Sequence, residues 1–128
     1  MASHIPINLF HILAIVPFFL YVAFVRGQLV PWVFNVLLGL GAVVLFYHLF
    51  AATKKWAAQS PSLWVNLVHV VAVAPLLIYI GVKGYDTPRW AFELLALVAF
   101  GALGYHLYAM VLELNDRNSP KLATATSA

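Results

Sequence analysis

Four long apolar runs, at about residues 7–26, 31–53, 62–83 and 88–113, decide what this chain can fold into. Each has about the 20 residues that cross a ~30 Å hydrocarbon layer at 1.5 Å per residue. Inside such a layer no water pairs with backbone N–H and C=O groups, so each run must satisfy them within itself, as a helix. Composition agrees: 64% of residues are apolar, 9% are charged and the mean hydropathy is +0.93, too little polar surface to cover a soluble globule. The predicted fold class is all-α integral membrane, with four transmembrane helices in a multi-pass arrangement. The first run lacks a basic leader and exceeds the length of a signal core, so it is expected to be retained as a span.

The runs are not independent. Sliding the chain on itself by 58 residues pairs Asn8 with Asn66, His11 with His69, Pro17 with Pro75, Tyr21 with Tyr79, Trp32 with Trp90, and Tyr47-His48-Leu49 with Tyr105-His106-Leu107. Residues 8–50 and 66–108 share 13 identities over 43 gapless positions, against about three or four expected by chance in so apolar a chain. The polar and aromatic identities carry the argument, since Leu on Leu is cheap here. The expected organisation is therefore two tandem hairpin repeats, residues 1–56 and 57–114, followed by a polar tail, 115–128. Two similarly oriented units imply a pseudo-two-fold axis along the membrane normal.

Short links at Arg26-Gly27-Gln28 and Gly84-Tyr85-Asp86 predict that the first helix pairs with the second and the third with the fourth. Pro6 and Pro31 suit helix starts, and Ser60-Pro61 and Thr87-Pro88 add a capping oxygen before a proline. Pro17 and Pro75 fall inside spans and predict equivalent kinks. Gly39, Gly41, Gly101 and Gly104 are the expected points of close helix contact. Basic residues lie mostly between and after the apolar runs, the pattern of a chain meeting lipid headgroups, and no nucleic-acid footprint is present. Lys54, Lys55, Arg117 and Lys121 on the side of the termini, against Arg26, Lys83 and Arg89, tilt the termini to the cytoplasmic side by four to three.

Four histidines carry the strongest chemical signal. His11 and His69 lie near the starts of the first and third helices, and His48 and His106 near the ends of the second and fourth. All four fall on one side of the membrane, roughly 6–9 Å below its interface. Ionisable groups within spans are costly and mark function by default. At 100° per residue Asn8 shares a face with His11, and Asn66 with His69, so each amide is expected to hold or hydrate its own neighbour. His48 shares its face with Gly41 and Ala52, and His106 with Ala99 and Ala102, small residues that leave room. That room suits a haem b-like macrocycle or a transition metal held by His11, His48, His69 and His106. The plainer reading is that each histidine snorkels or bonds a carbonyl within an aromatic belt that includes Tyr47 and Tyr105. His4 stands outside the repeat and reads as solvated.

Toward the other interface Tyr21, Tyr79, Asn35 and Glu93 are expected to gather as a second polar end, with Asn35 and Glu93 as repeat equivalents. Glu93 suits either proton carriage or the positive end of its helix. The faces between the two ends are filled by Leu37, Val73, Leu76, Leu95 and Phe18, a dry middle that argues against a resting pore. The chain has no cysteine, nucleophile elbow, phosphate loop or zinc-protease pair, and no enzyme activity is predicted.

The unit pattern is Asn-x-x-His, a Pro six after the His, a Tyr four further, a short turn, and Tyr-His-Leu closing the second span. On His11, Tyr47-His48, His69, Tyr105-His106, Pro17 and Pro75 it resembles small uncharacterised membrane proteins of large DNA viruses of algae and protists. The resemblance implies a viral or host membrane setting and no particular activity. Three functional expectations follow in order: a non-catalytic protein binding a haem-type macrocycle or metal; a structural membrane protein touching other membrane or capsid proteins through its tail and the 54–60 loop; and a proton or ion channel.

Overall fold

The computed structural model describes residues 2–119, and these are all-helical. Four helices are long and apolar enough to cross a membrane: α1 Ile5–Gln28, α2 Pro31–Ala57, α3 Leu63–Asp86 and α4 Arg89–Asn118. Pro6 and Pro31 stand in the first turns of α1 and α2, where a missing N–H costs nothing. Helix α4 continues through Asn118, so the expected polar tail begins while the chain is still helical. Lys121 and the rest of the tail from 120 onward lie outside the described residues.

The kinks expected at Pro17 and Pro75 take a specific form. Just before each proline the helix widens into one π turn, His11–Ile15 in α1 and His69–Val73 in α3. There Val16 N–H reaches back five residues to the His11 carbonyl, and Ala74 N–H to that of His69. A proline ring has no N–H to give and crowds the carbonyl four residues earlier, and a wider turn relieves both problems. The two π turns begin at the histidines, 58 residues apart, and reset the angle at which each helix start presents its side chains.

The two tight links share a second irregularity. Arg26 has φ 52° and ψ −117°, and Gly84, its repeat equivalent, φ 55° and ψ −126°. Leu29 N–H then bonds the Arg26 carbonyl, as Thr87 N–H bonds that of Gly84, both at 3.1 Å. This backbone region suits glycine and strains a residue with a Cβ, at a cost of order 1–3 kcal/mol. Arg26 offsets part of it by donating Nε to the Ala23 carbonyl at 3.0 Å. Its 3.9 Å approach to Glu93 is between partly exposed groups and contributes little. Arg26→Gly is therefore expected to stabilise the bundle by about 1 kcal/mol, read as a higher unfolding temperature in detergent. A lower one would mean that the arginine's contacts outweigh its strain.

Two expectations about helix ends need correction. Ser60 caps only the turn ahead of the helix: its Oγ accepts from Ser62 N–H at 3.4 Å and pairs with Ser62 Oγ at 3.1 Å, while α3 starts after Ser62 without a side-chain cap. Thr87 closes the helix behind it instead of opening the one ahead, donating Oγ1 to the carbonyls of Gly84 at 2.6 Å and Ile80 at 3.4 Å. Its hydroxyl is buried where α3 ends, and the last carbonyls there need donors.

The closest packing also differs from the order along the chain. Helix α2 lies mainly against α3, and α1 against α4, so the short links join helices that are not each other's principal partners. Small residues explain the choice. A Cβ on Gly81 would stand 2.7 Å from Leu38 N, and one on Gly41 2.8 Å from Ile78 Cγ1, so α2 and α3 touch almost backbone to backbone. The repeat equivalents Ala23 and Ala99 are buried in α1 and α4. Of the four glycines expected at contacts only Gly41 is at one. Gly39, Gly101 and Gly104 face open space, and Gly81 had been overlooked. A core of Val22, Leu29, Val33, Leu37, Leu77, Ile80 and Leu95 closes the centre and the linked end of the bundle. The end that carries the start of α1, the end of α4 and the 58–62 link is left less filled.

Candidate functional site: a histidine chamber

At that less filled end all four helices wall a single cavity of about 790 Å³, within the range of small-molecule and cofactor sites. His11, His48, His69 and His106 all line it, as do Asn8 and Asn66, so the six side chains singled out in the sequence are brought together. Tyr47, Ala51, Val65, Tyr105 and Ala109 complete much of the wall, and His4, Lys55, Glu113, Asp116 and Arg117 stand around it. Glu113 ties down the start of the chain, accepting from Ser3 Oγ at 2.9 Å, His4 N–H at 3.1 Å and Arg117 Nη2 at 2.8 Å.

The histidines form two face-to-face pairs. His11 stacks on His106 with ring centres 4.1 Å apart and planes 19° from parallel, and His48 on His69 at 4.0 Å and 11°. Each pair bridges two principal packing partners, α1 with α4 and α2 with α3. Tyr47 and Tyr105 set their rings edge-on to His48 and His106, at 5.1 and 5.2 Å.

Every imidazole is held by Nδ1. His11 Nδ1 lies 2.8 Å from the Ile7 carbonyl, and His69 Nδ1 2.7 Å from that of Val65, each one turn earlier in its own helix. His106 Nδ1 lies 2.8 Å from Asn8 Oδ1, and His48 Nδ1 3.0 Å from Asn66 Oδ1. The asparagines thus serve the histidine of the neighbouring helix and not the one on their own, as the helical wheel implied. Asn8 and His11 do line one cavity, as do Asn66 and His69, but His11 and His69 turn Nδ1 back to a carbonyl of their own helix and leave the amides to the neighbouring histidines.

A carbonyl or amide oxygen can only accept, so each Nδ1 carries the proton and each neutral imidazole keeps a bare lone pair on Nε2. No side chain or backbone group among the described residues bonds any of the four Nε2 atoms, and none of them is sealed from the cavity. This is the disposition of histidines that serve as ligands, with one nitrogen fixed by an oxygen acceptor and the other offered. Asn8 Nδ2 and Asn66 Nδ2 are buried without any partner. An orphaned donor costs about 1–3 kcal/mol, and the two stand at equivalent positions of the repeat. Among the described residues no three metal-binding side chains are grouped closely enough to hold one ion, so the four imidazoles are not preset around a single metal.

For His11 and His69 the carbonyl bond of the plainer reading is present, with Ile7 and Val65, which the sequence did not single out, as the acceptors.

At the other end no hydrogen bond or ring contact among the described residues joins Tyr21, Tyr79, Asn35 and Glu93 to one another. Glu93 pairs with Arg89 at 2.6 Å and approaches Arg26 at 3.9 Å, half exposed. Tyr79 stacks on Trp90 at 5.5 Å, whereas Tyr21 and Asn35 are exposed. Between this end and the chamber Leu37, Val73, Leu76 and Leu95 are buried, with Phe18 against them, so the chamber has a dry floor.

No family model, curated protein or solved structure matches this chain. The chemistry of the chamber therefore rests on its own residues.

Proposed function

We propose that this chain is a multi-pass membrane protein whose two 58-residue units are related by a pseudo-two-fold axis. In this reading its histidine chamber binds a haem-type macrocycle or a transition metal through imidazole Nε2 atoms. One observation carries the ligand assignment: four imidazoles share one cavity, each with Nδ1–H held by an oxygen acceptor and Nε2 without a partner. Neutral imidazole is a ligand for iron, copper and zinc alike. Asn8 and Asn66 are the supporting shell, fixing the tautomer and orientation of His106 and His48. The apolar length of all four helices supports a bilayer as the surrounding partner. The closed floor and the scattered Tyr21, Tyr79, Asn35 and Glu93 weigh against a channel, and the resemblance to viral membrane proteins suggests a setting without adding an activity.

The test is to purify the chain in detergent and titrate it with haemin and, in separate samples, with copper, iron and zinc salts. A Soret band or stoichiometric retained metal is expected, lost in the His48→Gln/His106→Gln variant while its helical circular dichroism persists. If the wild type takes up neither, the ligand reading is wrong and the bundle is better read as a structural membrane protein, which should tolerate both substitutions.

A further inference from the structure

The two units share their asparagines, histidines and tyrosines around the chamber, but they part company around a second pocket, at the linked end. This pocket, of about 170 Å³, lies among the two tight links and the starts of α2 and α4. Phe34 and Phe92 match across it as repeat equivalents. Arg26, however, stands where the second unit has Gly84, Arg89 where the first has Pro31, and Thr87 where the first has Leu29. Each of the pocket's two arginines is therefore found in one unit only. Tyr85, on the second link, donates its hydroxyl to the Leu29 carbonyl at 2.7 Å and sets its ring edge-on to Phe34 at 5.0 Å, which fixes the wall between the links.

The Arg26 backbone is the outlier that asks for a cause. Its φ of 52° is one that glycine adopts without strain, and Gly84 adopts it in the other unit. A costly conformation kept where glycine would serve points to a side chain that is needed. The two guanidiniums approach the same atom, Glu93 Oε1: Arg89 Nε at 2.6 Å and Arg26 Nη2 at 3.9 Å. Each is anchored through Nε, Arg89 to that oxygen and Arg26 to the Ala23 carbonyl at 3.0 Å. Among the described residues no hydrogen bond uses a terminal nitrogen of either. Two forks thus share one carboxylate, with their Nη groups open beside a small pocket and one positive charge in excess. Such planar forks match the oxygens of a phosphate two at a time. Independently of the histidine chamber, we infer that this pocket binds the phosphate group of an anionic ligand between Arg26 and Arg89. In the spanning arrangement the starts of α2 and α4 lie where the chain leaves the hydrocarbon layer, at the level of lipid headgroup phosphates. A free phosphate would meet the same forks.

The experiment is to strip the purified chain of lipid in detergent and titrate separate samples with phosphatidylglycerol, with uncharged diacylglycerol and with inorganic phosphate. Native mass spectrometry counts the bound molecules, and the unfolding temperature is followed alongside. One phosphatidylglycerol per chain is expected, with a rise in unfolding temperature because the ligand loads the folded state. Arg26→Gly should weaken binding by about tenfold or more, although its lipid-free unfolding temperature rises as the strain is lifted. Arg89→Gln should weaken it comparably. Glu93→Gln should tighten it, since both forks are then left to the phosphate. Lys54→Gln, at the far end of α2, should change nothing. Inorganic phosphate bound with the same dependence on Arg26 and Arg89, and no better retention of the lipid, would keep the site and give it a soluble ligand. Diacylglycerol retained as well as phosphatidylglycerol would overturn the proposal, as would uptake of none of the three. So would an Arg26→Gly variant that is less stable and binds as before, because the arginine's role would then be structural.

Discussion

Gly81→Leu is expected to cost the bundle about 3 kcal/mol or more, the largest effect of any single substitution argued from this fold. A Cβ at position 81 would lie 2.7 Å from Leu38 N and 2.8 Å from Leu38 Cα. Those are backbone atoms of a facing helix, so no rotamer change relieves the clash and α2 must move away from α3. Association of helices in lipid relies on close van der Waals contact, which separation forfeits along the whole interface. The movement would also pull apart the His48/His69 stack, which spans the same two helices. Gly39→Ala, Gly101→Ala and Gly104→Ala are the controls: each faces open space, and alanine in a helix gains about 0.5–1 kcal/mol over glycine. Unfolding in mixed detergents, with and without ligand, measures all four. If Gly81→Leu unfolds like the wild type, α2 and α3 do not pack as closely as described.

The second large effect is on ligand affinity. Asn8→Ala/Asn66→Ala should weaken binding in the histidine chamber by about 10–100-fold, although neither residue is a ligand. Without the two amide oxygens, His106 and His48 lose the acceptors that hold Nδ1, and their Nε2 lone pairs are no longer aimed or confined to one tautomer. The expected loss of fold stability is smaller, because the substitution strands two imidazole N–H groups and at the same time removes the two orphaned amide nitrogens. Asn8→Asp/Asn66→Asp keeps an oxygen at each position and should retain most of the affinity. Titration of the ligand found for the wild type separates these outcomes. Equal affinity in the alanine variant would show that His48 and His106 do not act through their asparagines.

Much of this protein is readable from its sequence because the readable parts depend on local chemistry or on repetition. Apolar runs of spanning length dictate helices wherever the backbone must satisfy itself, and all four are present. The 58-residue offset that pairs His11 with His69 and His48 with His106 also placed the chamber's main residues, since equivalent residues in similar units lie at equivalent depths. Prolines 17 and 75 announced a break in each helix, although not that it would be a π turn.

What the tertiary structure decided is which residue meets which. The chain order suggested that linked helices pair, but a short link fixes proximity only at one end, whereas Gly41 and Gly81 allow contact along the length of α2 and α3. The wheel put Asn8 beside His11, and both line the chamber, but His11 turns back to the Ile7 carbonyl and Asn8 reaches His106 across to α4. At the other end Tyr21, Tyr79, Asn35 and Glu93 share a depth without bonding one another, and Glu93 pairs with Arg89 one turn earlier on its own helix. Depth follows from counting residues along a helix. Facing follows from the angle at which helices pack, and that angle is set by small residues and π turns acting between segments far apart in the chain.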